Sequence, residues 1–143
     1  MNIIDQFLTE ALHPTLYHVS HIQDLKQIKA STGTSHDGKQ ANLIYACSDK
    51  TYVSAFGWPW NDSMASLGRI NNGPWILKVS KKYKPQMQKP CSLYTVSGDT
   101  FKPIKVNHQE FTSTQSTIPT LSEIKYKSAL EWVENNLGIK EFT

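Results

Sequence analysis

The order in which helical and strand-like patterns follow one another is the feature that most constrains the fold of this chain. Apolar residues recur with helical spacing mainly in the first half of the sequence, and short strand-like runs separated by Pro, Gly, Asp and Asn fill the second half. A parallel sheet built from β-α-β units needs strands and helices that alternate regularly. The pattern therefore predicts an α+β fold with a mostly antiparallel sheet and short flanking helices.

The expected elements follow from periodicity, capping residues and turn residues. Helices are expected over residues 2–12, from Ser20 through Ile28, from a cap at Ser48 to about Gly57, and from Ala129 to a cap at Gly138. Strands are expected over Thr15–Val19, Asn42–Cys47, Trp75–Val79, Ser92–Val96, Phe101–Val106 and Glu110–Thr117. A polar loop is expected over residues 30–40, a long excursion over residues 58–73, and a hairpin turn over residues 97–100. With no repeat and no linker, residues 1–143 are predicted to form a single domain.

Composition limits the classes of protein to which the chain can belong. No run of 18 apolar residues is present, and the first residues lack the basic start of a signal peptide, so we expect no membrane partner. Two cysteines, Cys47 and Cys91, do not make a disulfide framework, although one bridge between them stays an alternative. These features predict a cytoplasmic protein.

The positive charge comes almost wholly from lysine. The formal net charge is +3, and Arg69 is the single arginine. Proteins that read bases or clamp phosphates favour the guanidinium fork of arginine. The cluster of Lys78, Lys81, Lys82 and Lys84 is therefore interpreted as a solvated strand end and turn, with nucleic acid as a weaker, salt-sensitive alternative.

Familiar catalytic motifs are absent from the sequence. It contains no P-loop, no G-x-G-x-x-G, no H-E-x-x-H and no C-x-x-C. His18 and His21 are three residues apart, but one is expected in a strand and the other at a helix start, so we predict no metal site. Cys47 fits a small buried side chain better than a nucleophile.

Two short motifs and their spacing carry the functional information. A predicted strand ends in Leu16-Tyr17-His18-Val19-Ser20, a later strand contains Ile44-Tyr45, and Phe56 follows Tyr45 by eleven residues. This order, which spans Thr15 to Phe56, resembles the ADP-ribosyltransferase fold. The resemblance is to the His-Tyr-Glu branch, which includes the poly(ADP-ribose) polymerases and the RNA 2′-phosphotransferases. It implies a split, mostly antiparallel sheet that binds NAD between the first two strands.

The resemblance assigns a role to each motif residue. His18 would hydrogen-bond a ribose hydroxyl of NAD, the substrate, and Ser20 would lie near the nicotinamide carboxamide. Tyr45 and Phe56 would offer aromatic faces to the nicotinamide ring. Glu110, the best match to the third signature residue, would oppose the positive charge that develops on the ribose as nicotinamide leaves. His18 and Glu110 would thus be the catalytic residues.

Several alternatives stay open. Glu123 is a second candidate for the acidic residue, and Val19 stands where the family has a glycine whose backbone approaches the nicotinamide amide. Taken singly, Ser20 fits a helix cap, and Tyr45 and Phe56 fit ordinary core aromatics. The expected function is transfer of ADP-ribose from NAD to an unknown acceptor, protein or nucleic acid. The alternative is a degenerate member of the fold that binds a nucleotide or a protein without catalysis. Removal of a 2′-phosphate from RNA fits the fold but calls for arginines that this chain lacks.

Overall fold

The computed structural model describes the backbone of residues 15–34, 40–104, 107–137 and 139–142. The helix predicted over residues 2–12 lies outside these ranges. Within them the chain is α+β, with mostly antiparallel strand pairs and few, short helices, as the sequence predicts. None of the described helices is long and apolar enough to cross a membrane.

The elements of the described residues are as follows. The strands are β1 (Thr15–Ser20), β2 (Gln27–Lys29), β3 (Ser31–Thr34), β4 (Gln40–Cys47), β5 (Ala65–Gly68), β6 (Ile76–Val79), β7 (Cys91–Ser97), β8 (Lys102–Ile104), β9 (Asn107–Ser113), β10 (Thr117–Tyr126) and β11 (Ile139–Phe142). The α-helices are α1 (Lys50–Val53) and α2 (Ala129–Asn136), and the 3₁₀ segments are Ser54–Phe56 and Lys81–Gln88.

The strands form two sheets. The larger has the order β2-β10-β7-β1-β4-β9-β8, with β3 also paired to β4, and the smaller has the order β11-β6-β5. The pairs β4–β9, β3–β4, β8–β9 and β5–β6 are antiparallel, whereas β11 runs parallel to β6. Consecutive strands are seldom neighbours in the larger sheet, so most of its pairing joins distant parts of the sequence.

The chain divides into two compact units, each assembled from three separate segments. Unit 1 comprises residues 1–18, 25–48 and 94–122, and unit 2 comprises residues 19–24, 49–93 and 123–143. The boundary falls within β1, β7 and β10, so these three strands contribute residues to both units.

Alternation of side chains builds the core of unit 1. Side chains of consecutive strand residues point to opposite faces, and one face of each strand supplies the apolar residues. This core consists of Leu16, Ile28, Ile44, Ala46, Tyr94, Val96 and Ile118, each at most 6% exposed. Phe111 packs against it from β9. The intervening residues of β4 and β9, which include Tyr45 and Glu110, therefore lie on the other face.

Unit 2 packs its helices around a glycine. Asp49 begins α1, where its carboxylate accepts hydrogen bonds from the backbone N–H groups of Thr51 and Tyr52. A Cβ on Gly57 would lie 3.1 Å from Cys91 Sγ and 3.1 Å from Trp132 Cε3. Glycine at this position therefore allows the chain to approach α2 closely.

One predicted helix is wrong. Residues 21–26 form bends, and Ile28 lies in strand β2 with its side chain buried. Ser20 Oγ accepts a hydrogen bond from the Ile22 N–H, which closes a short turn and not a helix. Asp24 has φ of 63°, a left-handed conformation that interrupts a right-handed helix. The apolar spacing of Ile22, Leu25 and Ile28 was misleading because only Ile28 is fully buried.

Three loop expectations also change. The predicted loop over residues 30–40 contains β3, which pairs with β4, and the excursion over residues 58–73 contains β5. Where a turn was predicted over residues 97–100, one does form, over residues 98–101, in which the Phe101 N–H donates to the Gly98 carbonyl. The hairpin predicted there is wrong, however, because β7 and β8 are not neighbours in the sheet and β8 pairs with β9.

Candidate functional site

Two of the predicted site residues share one face of the sheet in unit 1. In the β4–β9 pairing Cys47 is opposite Glu110 and Tyr45 is opposite Thr112. Tyr45 and Glu110 are therefore diagonal neighbours on the face that points away from the core. Both side chains are half-buried.

The two groups also interact electrostatically. Burial raises the pKa of the Tyr45 phenol, and the nearby negative charge of Glu110 raises that pKa further. Both effects disfavour a tyrosinate, so the phenol stays a hydrogen-bond donor beside a carboxylate at neutral pH. The Tyr45 hydroxyl can therefore donate a hydrogen bond to a ligand, and the nearby Glu110 carboxylate can attract positive charge on the same ligand.

His18 contacts the backbone of β4 from β1. Its Nδ1 lies 2.6 Å from the backbone carbonyl oxygen of Tyr45. A carbonyl only accepts hydrogen bonds, so Nδ1 carries the proton and Nε2 is left as an acceptor. Burial lowers the pKa of His18, partly offset by this hydrogen bond, which favours the neutral ring at neutral pH.

The pairing of β1 with β4 fixes the side of β1 on which the His18 side chain lies. Tyr17 is opposite Cys47, so alternation along β1 assigns His18 to the same side of that strand as the core residue Leu16. Tyr45 and Glu110 lie on the opposite face of the sheet. The imidazole meets β4 at its backbone. That His18 lines one pocket with Tyr45 and Glu110 stays a prediction.

Ser20 belongs to unit 2, where it has a local role. Its hydroxyl oxygen accepts the Ile22 N–H at 3.1 Å. The serine is thus the first residue of a turn, which agrees with a capping role but not with a cap on a helix. Its predicted contact with the nicotinamide carboxamide stays a prediction.

Phe56 also belongs to unit 2, where it lies in a row of aromatic rings. Its ring stacks on Trp60 with centroids 5.5 Å apart and planes inclined by 12°, and the Tyr52 ring lies 5.2 Å away on a tilt. Trp75 continues the row 4.8 Å from Tyr52. Aromatic packing of this kind stabilises a core without any ligand. A role for Phe56 in holding nicotinamide stays a prediction.

Glu123, the second candidate for the acidic residue, has a structural role in unit 2. Its Oε2 accepts hydrogen bonds from the Asp24 N–H at 3.0 Å and from the Ser92 hydroxyl at 2.7 Å. The Asp24 carboxylate in turn pairs with Lys125 at 2.5 Å. Glu123 thus fastens the left-handed residue Asp24 to β7 and β10. A carboxylate held in this way is suited to support a turn. The sequence alone could not distinguish the two because the turn that Glu123 supports was predicted to be helical.

A cavity in unit 2 is a feature that the sequence did not indicate. It has a volume of about 540 Å³ and is lined by His21, Gln23, Pro59, Gln86, Lys89 and Pro90. Burial lowers the pKa of His21, and the charge of Lys89 lowers it further. Gln23 is oriented by donation from its Nε2 to the Cys91 carbonyl at 3.2 Å. The lining can therefore donate hydrogen bonds to an uncharged or anionic group.

In the described part of the chain, the His, Cys, Asp and Glu side chains form no group of three or more that could hold a metal ion. Comparison with protein-family models, with curated protein sequences and with solved structures finds no match for this chain.

Proposed function

We propose that this protein binds NAD and transfers its ADP-ribose group to an acceptor. The observation that carries the proposal is the linkage of the three signature residues in unit 1. His18 Nδ1 donates to the Tyr45 carbonyl, and Tyr45 is a diagonal neighbour of Glu110. The sequence motifs that resemble the His-Tyr-Glu branch provide the identity of the ligand.

Each residue has a chemical task in this proposal. The Nε2 atom of the neutral His18 ring accepts a hydrogen bond from a ribose hydroxyl, and the Tyr45 ring packs against the nicotinamide. When the glycosidic bond breaks, nicotinamide leaves with the electron pair and the ribose becomes cationic. The Glu110 carboxylate stabilises that charge. The acceptor then bonds to the same carbon and loses its proton, so no oxidant or reductant is needed.

Val19 favours a second candidate, in which the domain binds NAD but has lost the reaction. This residue stands where the resembled family has glycine, and a β-branched side chain narrows the approach of a carboxamide to the backbone. The two candidates differ only in turnover.

Release of nicotinamide from NAD by the wild type and by Glu110→Gln tests the proposal. The substitution keeps the size of the side chain and removes its charge, so turnover should fall about 100-fold or more, equivalent to roughly 3 kcal/mol, with little change in NAD affinity. Glu123→Gln is the matched control, because Glu123 is engaged with Asp24 and Ser92, and it should keep wild-type turnover.

Calorimetry with NAD separates the two candidates. Binding that Tyr45→Ala weakens, together with no release of nicotinamide, would identify a binding module. No heat at millimolar NAD would overturn both. A structure with NAD bound must also show His18 Nε2 and the Glu110 carboxylate facing the same ribose, and an imidazole enclosed in the core of unit 1 would refute the transferase.

A further inference from the structure

The basic residues of this protein are unevenly distributed. Between Asp62 and Asp99 the sequence contains six of the fifteen basic residues and none of the twelve acidic ones. The segment therefore carries more positive charge than the whole chain, which has a net charge of +3. Its residues 63–93, which include all six cations, fold within unit 2 as β5, β6, the 3₁₀ segment Lys81–Gln88 and the start of β7.

These cations follow the course of β6. Arg69 follows β5 and lies in the connection that leads to β6. Lys81 and Lys82 follow the other end of β6, after Ser80. Strand geometry places the two ends of this four-residue strand roughly 10–13 Å apart. Arg69, Lys81 and Lys82 are exposed, as are Lys84 and Lys89 further along the chain. We call Arg69, Lys81, Lys82, Lys84 and Lys89 the basic strip.

Aromatic rings accompany the basic strip. Arg69 Cζ lies 4.4 Å from the centroid of the Trp75 ring, Lys82 Nζ lies 5.1 Å from that of Tyr83, and Lys84 Nζ lies 5.0 Å from that of Phe142. Trp75, Tyr83 and Phe142 are all partly exposed. Cations held over partly exposed rings offer both charge and planar surface to a ligand.

An open groove lies beside Arg69. It has a volume of about 360 Å³ and is lined by Ser66, Leu67, Gly68, Arg69, Ile70, Ile76 and Lys78. A Cβ on Gly68 would meet nothing within 4 Å, and the φ of this residue is not left-handed. Gly68 is the last residue of β5, where glycine is less favourable than alanine. Neither the backbone nor packing requires glycine here, and without a side chain another molecule can lie close to the end of β5.

We propose that the basic strip and the groove at Gly68 bind single-stranded nucleic acid without sequence preference. Lysines suffice for this task because they neutralise phosphates without reading bases. Stacking on aromatic and guanidinium planes accommodates any base, and the open groove at Gly68 leaves room for one. Two other occupants of this surface fit less well. A second copy of the chain, if it docked through the same surface, would place its basic strip against this one. An acidic peptide would pair with the cations but would leave the aromatic and guanidinium planes without a stacking partner. The inference is independent of NAD binding.

The test is the binding of a fluorescein-labelled 12-nucleotide oligodeoxythymidylate to the full chain, followed by anisotropy at several salt concentrations. About four phosphate contacts give a slope of roughly −3 in log K against log salt, so affinity should fall about 50-fold between 50 and 200 mM salt. The double variant Lys81→Glu and Lys82→Glu should weaken binding at least about 10-fold at 50 mM salt and make the slope shallower by about 1.5.

A matched control has the same change in net charge. Lys26→Glu with Lys29→Glu replaces two exposed lysines of unit 1, and it should change affinity less than about 3-fold because these residues lie outside the basic strip. Lys78 is left unchanged, because it is not part of the basic strip. Should the charge reversals unfold the domain, Lys81→Gln with Lys82→Gln keeps the test available.

Gly68→Val tests the groove separately. Valine favours strands, so the melting temperature should not fall, while its side chain fills the open surface and should weaken oligonucleotide binding about 5-fold or more. The inference is overturned if the wild type does not bind at 50 mM salt, or if the control reversals weaken binding as much as those in the basic strip. It is equally overturned if polyglutamate or duplex DNA of the same charge competes as well as the single strand, since either result would assign the surface to acidic proteins or to duplexes.

Discussion

The Nδ1 atom of His18 lies 2.6 Å from the backbone carbonyl oxygen of Tyr45, and this contact couples the charge state of a buried ring to the pairing of β1 with β4. Protonation of the imidazole is disfavoured because burial penalises the charged form. The contact connects two motif residues that are 27 positions apart in the sequence.

The free energy of unfolding should therefore depend on pH below neutrality. The folded-state pKa of His18 is lower than its unfolded value of about 6.5, so the unfolded state binds more protons between these two values. The contribution of His18 to the free energy of unfolding should be greatest above pH 6.5 and should decrease as the pH falls from 6.5 towards the folded-state pKa. Below the folded-state pKa this contribution should no longer change. Urea unfolding between pH 5 and 8 measures it. His18→Gln should flatten the dependence, and His21→Gln corrects for the second histidine whose pKa is lowered. An unchanged pH profile in His18→Gln would show that its ring is solvated.

The charge of Glu110 should be measurable at Tyr45. In Glu110→Gln the pKa of Tyr45 should move down towards its usual value, because the second cause of its elevation is removed while burial remains. Tyrosine ¹³Cζ shifts followed by NMR through alkaline pH report this for a single residue. Tyr126 is the internal control, because burial and Cys91 raise its pKa and the substitution of Glu110 should leave that pKa unchanged. If the pKa of Tyr45 does not move, the two side chains are not neighbours.

Glu123 should matter for stability and not for chemistry. Glu123→Ala removes the acceptor of the Asp24 N–H and the Ser92 hydroxyl, so the free energy of unfolding should fall by about 1–2 kcal/mol. Glu134→Ala, at an exposed position of α2, should change it by less than about 0.5 kcal/mol. Urea denaturation of both variants gives the comparison, and equal losses in the free energy of unfolding would show that Glu123 does not stabilise the turn.

Two glycines in unit 2 should respond in opposite ways to alanine. At Gly57 the new methyl group would lie 3.1 Å from Cys91 Sγ and Trp132 Cε3, so Gly57→Ala should destabilise unit 2 by about 1–3 kcal/mol. At Gly68 it would meet nothing, so Gly68→Ala should be neutral or stabilise by up to about 1 kcal/mol. Thermal melts distinguish the two. A loss of stability in Gly68→Ala would mean that the surface at β5 is not open.

The strands that bury a continuous apolar run could be predicted from the sequence, whereas those set by distant partners could not. β1, β4, β6 and β7 were expected nearly at their observed bounds, since local apolar residues define them. β3 is polar throughout and depends on pairing with β4, and β10 carries exposed Leu121 and Ile124, so its sequence lacks a clear strand pattern. Such strands require knowledge of their neighbours.

The site was predictable to a similar extent. The position of Tyr45 and Glu110 on one face follows from strand pairing, which local patterns do not specify. The basic segment between Asp62 and Asp99 was visible in the sequence, but its lysines were interpreted as a solvated turn. The lack of any acidic residue in that segment is the sequence signal on which the nucleic-acid proposal depends.

Because each unit is built from three segments, the chain passes from one unit to the other five times. No single stretch of the sequence therefore encodes either unit. A truncation from either end removes part of both or leaves one of them incomplete, so no contiguous fragment should fold as an isolated unit. Each unit also needs residues that are synthesised early and residues that are synthesised late, such as 25–48 with 94–122. During synthesis on the ribosome, therefore, the core of unit 1 cannot be completed before residue 122 has emerged, and that of unit 2 only later.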